Sequence, residues 1–125
     1  MMLSAKLKKL VEALDSKLEK LLKPYDKCRL ECDGLTRVLH TVLSKNKIKH
    51  SVHQGEVHVG KEVFNPHFWI QLPNGYVVDY RLRMWFGNKA PHGIFKPENN
   101  DVKYDGDKIN MPELSDVMFQ ILVDN

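Results

Sequence analysis

A thiol, an imidazole and a carboxylate, in that chain order, are the parts of an acyl-transfer site, and this chain carries them as Cys32, His67 and Asp79. A thiolate attacks a carbonyl carbon, the imidazole takes and returns the proton, and the carboxylate fixes the imidazole's tautomer. Residue types alone decide little, because a free cysteine is often just a small buried hydrophobe. The elements around the three must bring them together.

Cys32 sits at the start of an apolar-periodic segment. Leu35, Val38, Leu39, Val42 and Leu43 recur at the three-and-four step of a helix running from near Cys32 to about Lys45. Cys32 precedes Leu35 by three residues, so it belongs to the N-terminal end of the buried stripe and points inward at the helix mouth. There the unpaired backbone N–H groups and the positive end of the helix dipole favour an anion.

His67 opens HFWIQL and Asp79 closes YVVDY, two strand-like runs joined by Pro73-Asn74-Gly75. A two-residue Asn-Gly loop would pair Ile70 with Asp79 and put Asp79 on the face opposite His67. Pro73 favours a three-residue loop, with glycine in the left-handed third place. Leu72 then pairs with Tyr76, Trp69 with Asp79 and His67 with Arg81, making His67 and Asp79 diagonal neighbours. That face would hold His67, Trp69, Gln71, Val77, Asp79 and Arg81, while Phe68, Ile70, Leu72, Tyr76, Val78 and Tyr80 form the greasier one. Periodicity leaves Asp79 three options: His67, an ion pair with Arg81, or solvent.

The remaining chain frames this core. Leucines at 3, 7, 10, 14, 18 and 21 predict a basic amphipathic helix from about Ser4 to Leu22, ended by Pro24. Short β-like stretches are expected at Ile48–His53, Glu56–Val59 and Glu62–Phe64, separated by Gly55 and Gly60. Arg81–Pro97 reads as an ordered loop anchored by Trp85 and Phe86. Glu98–Asp107 reads as polar and turn-like, with a tight turn at Asp105-Gly106. A last helix is expected from Pro112 to about Val123, capped by Asn110, with Leu114, Val117, Met118, Ile121 and Leu122 on one face.

At 125 residues and 42% hydrophobic content, a single domain spanning 1–125 is the simplest reading. The net charge of +3 is local. Residues 1–23 carry six lysines against three acids, and the remaining 13 basic and 13 acidic residues cancel, which argues against a nucleic-acid-binding surface. No apolar run approaches the ~18 residues of a membrane span, and a cytoplasmic protein is expected. Cys28 and Cys32, four apart, are expected to be free thiols in a reducing compartment. A zinc site from Cys28, Cys32, His50 and His53 is disfavoured by the short gap between the histidines, so no metal or cofactor is expected.

Taken together, a Cys opening a helix (CDGLTRVLHTVL), then His-aromatic-Trp (HFWIQL), then an Asp ending the next strand (NGYVVDY) resembles the transglutaminase-like branch of papain-like cysteine enzymes. The match spans about Cys32 to Tyr80. The resemblance implies an α+β fold, with the Cys-bearing helix packed on an antiparallel sheet whose neighbouring strands carry His and Asp. It implies Cys32 as nucleophile, His67 as general base and acid, and Asp79 as orienter. One departure is that no Gln precedes Cys32, the first being Gln54. The Cys32 backbone N–H is one oxyanion donor, and Tyr25 is the candidate for the second. Trp69, Trp85 and Phe86 read first as core or loop anchors, with Trp69 and Trp85 the candidates to line a cleft.

The expected function is cysteine-dependent acyl transfer from an amide of a protein or peptide, through a thioester. A peptidase or deamidase comes before a crosslinker. The alternative is a non-catalytic binding module that keeps the fold and docks a partner through its first helix or the Trp85–Phe95 loop.

Overall fold

The computed structural model describes residues 16–124. Helical residues 16–22 (α1) lay Leu18, Leu21 and Leu22 on the core and run into a 3-10 turn at Lys23–Tyr25, where Pro24 removes a backbone donor. The earlier part of the expected first helix lies outside the described residues. Helix α2 spans Cys32–Lys45, as its apolar spacing predicts, and buries Leu35, Val38, Leu39, Val42 and Leu43.

Five strands follow: β1 Ser51–Val59, β2 Glu62–Gln71, β3 Val77–Asp79, β4 Gly93–Phe95 and β5 Val102–Ile109. They form one sheet in the order β4-β3-β2-β1-β5, with every neighbouring pair antiparallel. A short helix α3, Arg83–Phe86, lies between β3 and β4, and α4, Asp116–Val123, ends the described chain. The protein is therefore α+β. No helix among the described residues is long and apolar enough to cross a membrane.

The alternation of strand side chains splits the core in two. Ile70, Leu72, Val78 and Tyr80 pack with Val52 against Leu22 and the α2 stripe. Trp69 and Val77 turn the other way and pack with Val57, Val59, Leu82, Phe86, Phe95 and Val102. The segment after β3, expected as a loop with aromatic anchors, is ordered as expected but contains α3 and β4 as well.

Three expectations are corrected. Gly55 does not divide β1; it lies inside the strand, opposite His67 on one side and Gly106 on the other. Glu98–Asp107 is turn-like only as far as Asp101, following a 3-10 turn at Pro97–Asn100; from Val102 onward it is β5, paired along β1 from Val59 to Val52. The glycines explain both. A Cβ on Gly55 would collide with the Asp105 carbonyl, and one on Gly106 would collide with the Gln54 carbonyl and come within 2.7 Å of the Trp69 ring. Two glycines face each other so that two backbones and an indole can close up.

The third correction is the last helix, which starts at Asp116 rather than Pro112. Side chains of α2 tie down the segment before it: Arg37 Nε donates to the Pro112 carbonyl at 2.9 Å, and the Leu114 N–H donates to Thr41 Oγ1 at 3.0 Å. Ser115, not Asn110, is the cap, its Oγ accepting from the Met118 N–H at 3.2 Å. Of the expected buried face, Leu114 is buried, but Val117, Met118 and Ile121 are exposed.

Candidate active site

The hairpin register decides whether the imidazole and carboxylate can meet. Ile70 pairs with Val78 and Gln71 with Val77, and the Leu72 N–H donates to the Tyr76 carbonyl at 2.9 Å. This is the register of the three-residue loop, with Gly75 at φ +87° in the left-handed place. His67 and Asp79 consequently share a face. His67 Nε2 lies 2.7 Å from Asp79 Oδ2, both side chains almost wholly shielded from solvent.

Asp79 is held from two further directions. The Tyr104 hydroxyl donates to the same Oδ2 at 2.8 Å, and the Arg81 backbone N–H donates to Oδ1 at 3.1 Å. Tyr104 comes from β5, the strand hidden in the sequence by its charges and its Asp-Gly pair. The available signal was the period-2 spacing of Val102 and Tyr104, which puts Tyr104 on the buried side. Burial, reinforced by the Asp79 carboxylate, raises the Tyr104 pKa well above its ordinary value, so the phenol remains a donor.

Cys32 is the first residue of α2, buried at the helix mouth. Glu31, at the N-cap position, offers no side-chain cap. Burial alone would push the His67 imidazole down. The hydrogen bond and charge of Asp79, joined by the Cys32 sulfur, outweigh it and raise the pKa to about 9. Nε2 is committed to Asp79, while Nδ1 is buried and has no hydrogen-bond partner. The Cys32 thiol lies close enough to the imidazole to help raise its pKa.

Aromatic rings wall the imidazole. Trp69 lies roughly parallel to it at 6.3 Å and also meets Tyr104 at 4.6 Å, while Phe64 presents an edge at 6.2 Å. Phe64 in turn stacks on the half-exposed Trp85 at 3.9 Å. Of the three residues expected near a cleft, Trp85 is therefore at the surface and one ring removed from His67. Trp69 is only 1% exposed and supports the imidazole from within the core. Tyr25 packs edge-on to Phe119 at 5.8 Å and beside the helix-side core.

The Arg81 side chain does not pair with the Asp79 carboxylate. It turns to the segment before Cys32, where it meets Asp26, Cys28 and Leu30. A cleft of about 550 Å³ runs along this junction, lined by Cys28–Glu31 and by Tyr80, Arg81, Arg83 and Met84. The other thiol, Cys28, is free and buried, with Sγ 3.6 Å from the Val123 carbonyl. His50 bonds to His40 and His53 to Ser51, and no group of three or more potential metal ligands occurs among the described residues.

Chemically, the arrangement offers a thiol at a helix start, an imidazolium that holds its proton to about pH 9, and a doubly supported carboxylate behind it. No family model, no curated protein and no solved structure matches this chain.

Proposed function

We propose that the protein is a cysteine-dependent acyl-transfer enzyme with a papain-like, transglutaminase-like core, acting on an amide of a protein or peptide. The observation that carries this reading is the buried 2.7 Å contact between His67 Nε2 and Asp79 Oδ2, with the other ring nitrogen unpartnered and the Cys32 thiol near enough to raise the imidazole pKa. An aspartate paired to one imidazole nitrogen directs the other nitrogen at the nucleophile.

The nucleophile is the thiolate form of Cys32, and His67, whose pKa of about 9 keeps its proton at neutral pH, is the imidazolium beside it. The Cys32 thiolate attacks the carbonyl carbon, and the oxyanion takes a hydrogen bond from the Cys32 backbone N–H at the uncapped helix start. As the C–N bond breaks, the imidazolium passes its proton to the departing amine, leaving a thioester and a neutral imidazole. That imidazole then takes a proton from water, whose oxygen attacks the thioester carbonyl. Release of the carboxylic acid restores thiolate and imidazolium. An amine in place of water would give transfer rather than hydrolysis. Two free thiols suit a reducing compartment such as the cytoplasm.

The second reading is a non-catalytic binding module with the same fold. It is favoured by burial: His67 is 0% exposed and Cys32 7%, and none of the larger cavities among the described residues is lined by either.

Iodoacetamide labelling at neutral pH, read at Cys32 by peptide mass spectrometry, separates the two. The enzyme reading expects Cys32 to react faster than a free model thiol and His67→Ala to abolish the excess. Labelling at the model rate, unchanged by His67→Ala, would leave the binding module.

A further inference from the structure

The Arg81 guanidinium has five N–H donors, and all five are used. Nε donates to the Leu30 carbonyl at 2.7 Å, Nη1 to Asp26 Oδ1 at 2.7 Å and the Tyr80 carbonyl at 2.8 Å, and Nη2 to the Asp26 and Cys28 carbonyls, each at 2.9 Å. Such a planar fork, fully occupied and largely shielded, fixes its surroundings far more tightly than a surface ion pair. Four of its five bonds go to residues 26–30, the segment that delivers the chain into Cys32. The same residue's backbone N–H holds Asp79 Oδ1 at 3.1 Å.

Asp26 is bound as firmly as it binds. Burial would raise its pKa, but hydrogen bonds from His92 and Arg81 outweigh this and keep it below the ordinary carboxylate value. His92 Nε2 lies 2.6 Å from Asp26 Oδ2. The anchor therefore stays charged, and the guanidinium has a fixed counter-ion.

We infer that Arg81 is the positioning residue of the site, tying the segment that places the Cys32 thiol to the carboxylate that orients His67. The inference rests on the acyl-transfer reading of Cys32, His67 and Asp79. Arg81 touches neither the thiol nor the imidazole in this scheme. It sets the distance between the two ends of the triad, a distance on which acyl transfer depends steeply, since a misplacement of ~1 Å can cost about a hundredfold in rate.

The test compares wild type, Arg81→Lys and Asp26→Asn in the full chain. Iodoacetamide labelling across a pH series is read separately at Cys32 and Cys28, beside thermal melting. Lysine keeps the charge but cannot span five acceptors; asparagine keeps a carbonyl for Nη1 but loses the charge. The expected result for Arg81→Lys is a fall of about tenfold or more in the Cys32 rate at neutral pH, with its pH profile moved to the alkaline side and Cys28 still protected. A smaller fall in the same direction is expected for Asp26→Asn, which decides the matter alone if Arg81→Lys does not fold. Rates within about twofold of wild type and an unmoved pH profile in the folded variants would overturn the assignment while leaving the enzyme reading intact. A fall accompanied by Cys28 labelling and an unmoved profile would also overturn it, because that is general loosening. If wild-type Cys32 reacts no faster than a model thiol, the enzyme reading fails and takes this assignment with it.

Discussion

Tyr104 and His67 meet on a single oxygen, Asp79 Oδ2, the phenol donating at 2.8 Å and the imidazole nitrogen lying 2.7 Å away. Two donors on one carboxylate oxygen spread its charge, so the phenol moderates the pull of Asp79 on the imidazole.

Tyr104→Phe removes that moderation without emptying much volume. The variant is expected to be less stable by about 1–3 kcal/mol, the cost of withdrawing a hydrogen bond from a buried charged group. The His67 pKa should move up, not down, because the positive end of the hydroxyl dipole is lost. Urea denaturation gives the first quantity and NMR titration of the imidazole the second.

Asp79→Asn should act in the opposite direction. The largest single influence on His67 is burial, which lowers its pKa, and the Asp79 carboxylate is what reverses it. With the carboxylate gone, the imidazole should titrate below 6.5 instead of near 9. A titration midpoint left near 9 would mean that Asp79 is not the main counterweight.

The same pair makes stability depend on pH with a definite sign. The raised His67 pKa contributes stability that is fully present below 6.5 and is lost as pH rises through about 9. The shift corresponds to about 3 kcal/mol. The stability gap between wild type and Asp79→Asn, measured by urea denaturation, should shrink by roughly that amount across this window, and should already narrow below 6.5 as the lowered imidazole of the variant gives up its proton.

Gly106→Ala tests the crossing of β1 and β5. Its Cβ would meet the Gln54 carbonyl and the Trp69 ring, neither of which is a flexible chain end. A loss of about 1–3 kcal/mol or more is expected from such overpacking, together with a changed Trp69 fluorescence. A neutral substitution would show that β5 is not seated against the indole.

Thr41→Val tests why the last helix begins late. The Thr41 hydroxyl is fully buried, donates to the Arg37 carbonyl at 2.8 Å and accepts from the Leu114 N–H. Valine keeps the shape but strands that N–H, so about 1–3 kcal/mol should be lost and the Leu114 amide should exchange faster with solvent.

What could be read in advance was what depends on local pattern. The α2 stripe, the Pro-Asn-Gly loop and the register it sets are encoded within a dozen residues each, and they put His67 and Asp79 on one face of the sheet. What stayed hidden depends on partners far along the chain. β5 looks like a turn because its charges and Asp-Gly pair carry no cue that Gly55, some fifty positions away, stands opposite Gly106. Tyr104 was lost with it. Arg81 reads as a rival partner for Asp79, since nothing local shows that five acceptors await its guanidinium.

The strand order has a consequence for how this protein behaves in a crowd. β4 and β5 are the edges of the sheet, where unpaired backbone groups invite another chain to add itself as a further strand. One edge is only three residues long, and the other presents exposed Lys103, Asp105, Asp107 and Lys108. Desolvating that mixed row of charges opposes the approach of a foreign strand, so the polarity that disguises β5 in the sequence also makes it a poor seed for aggregation.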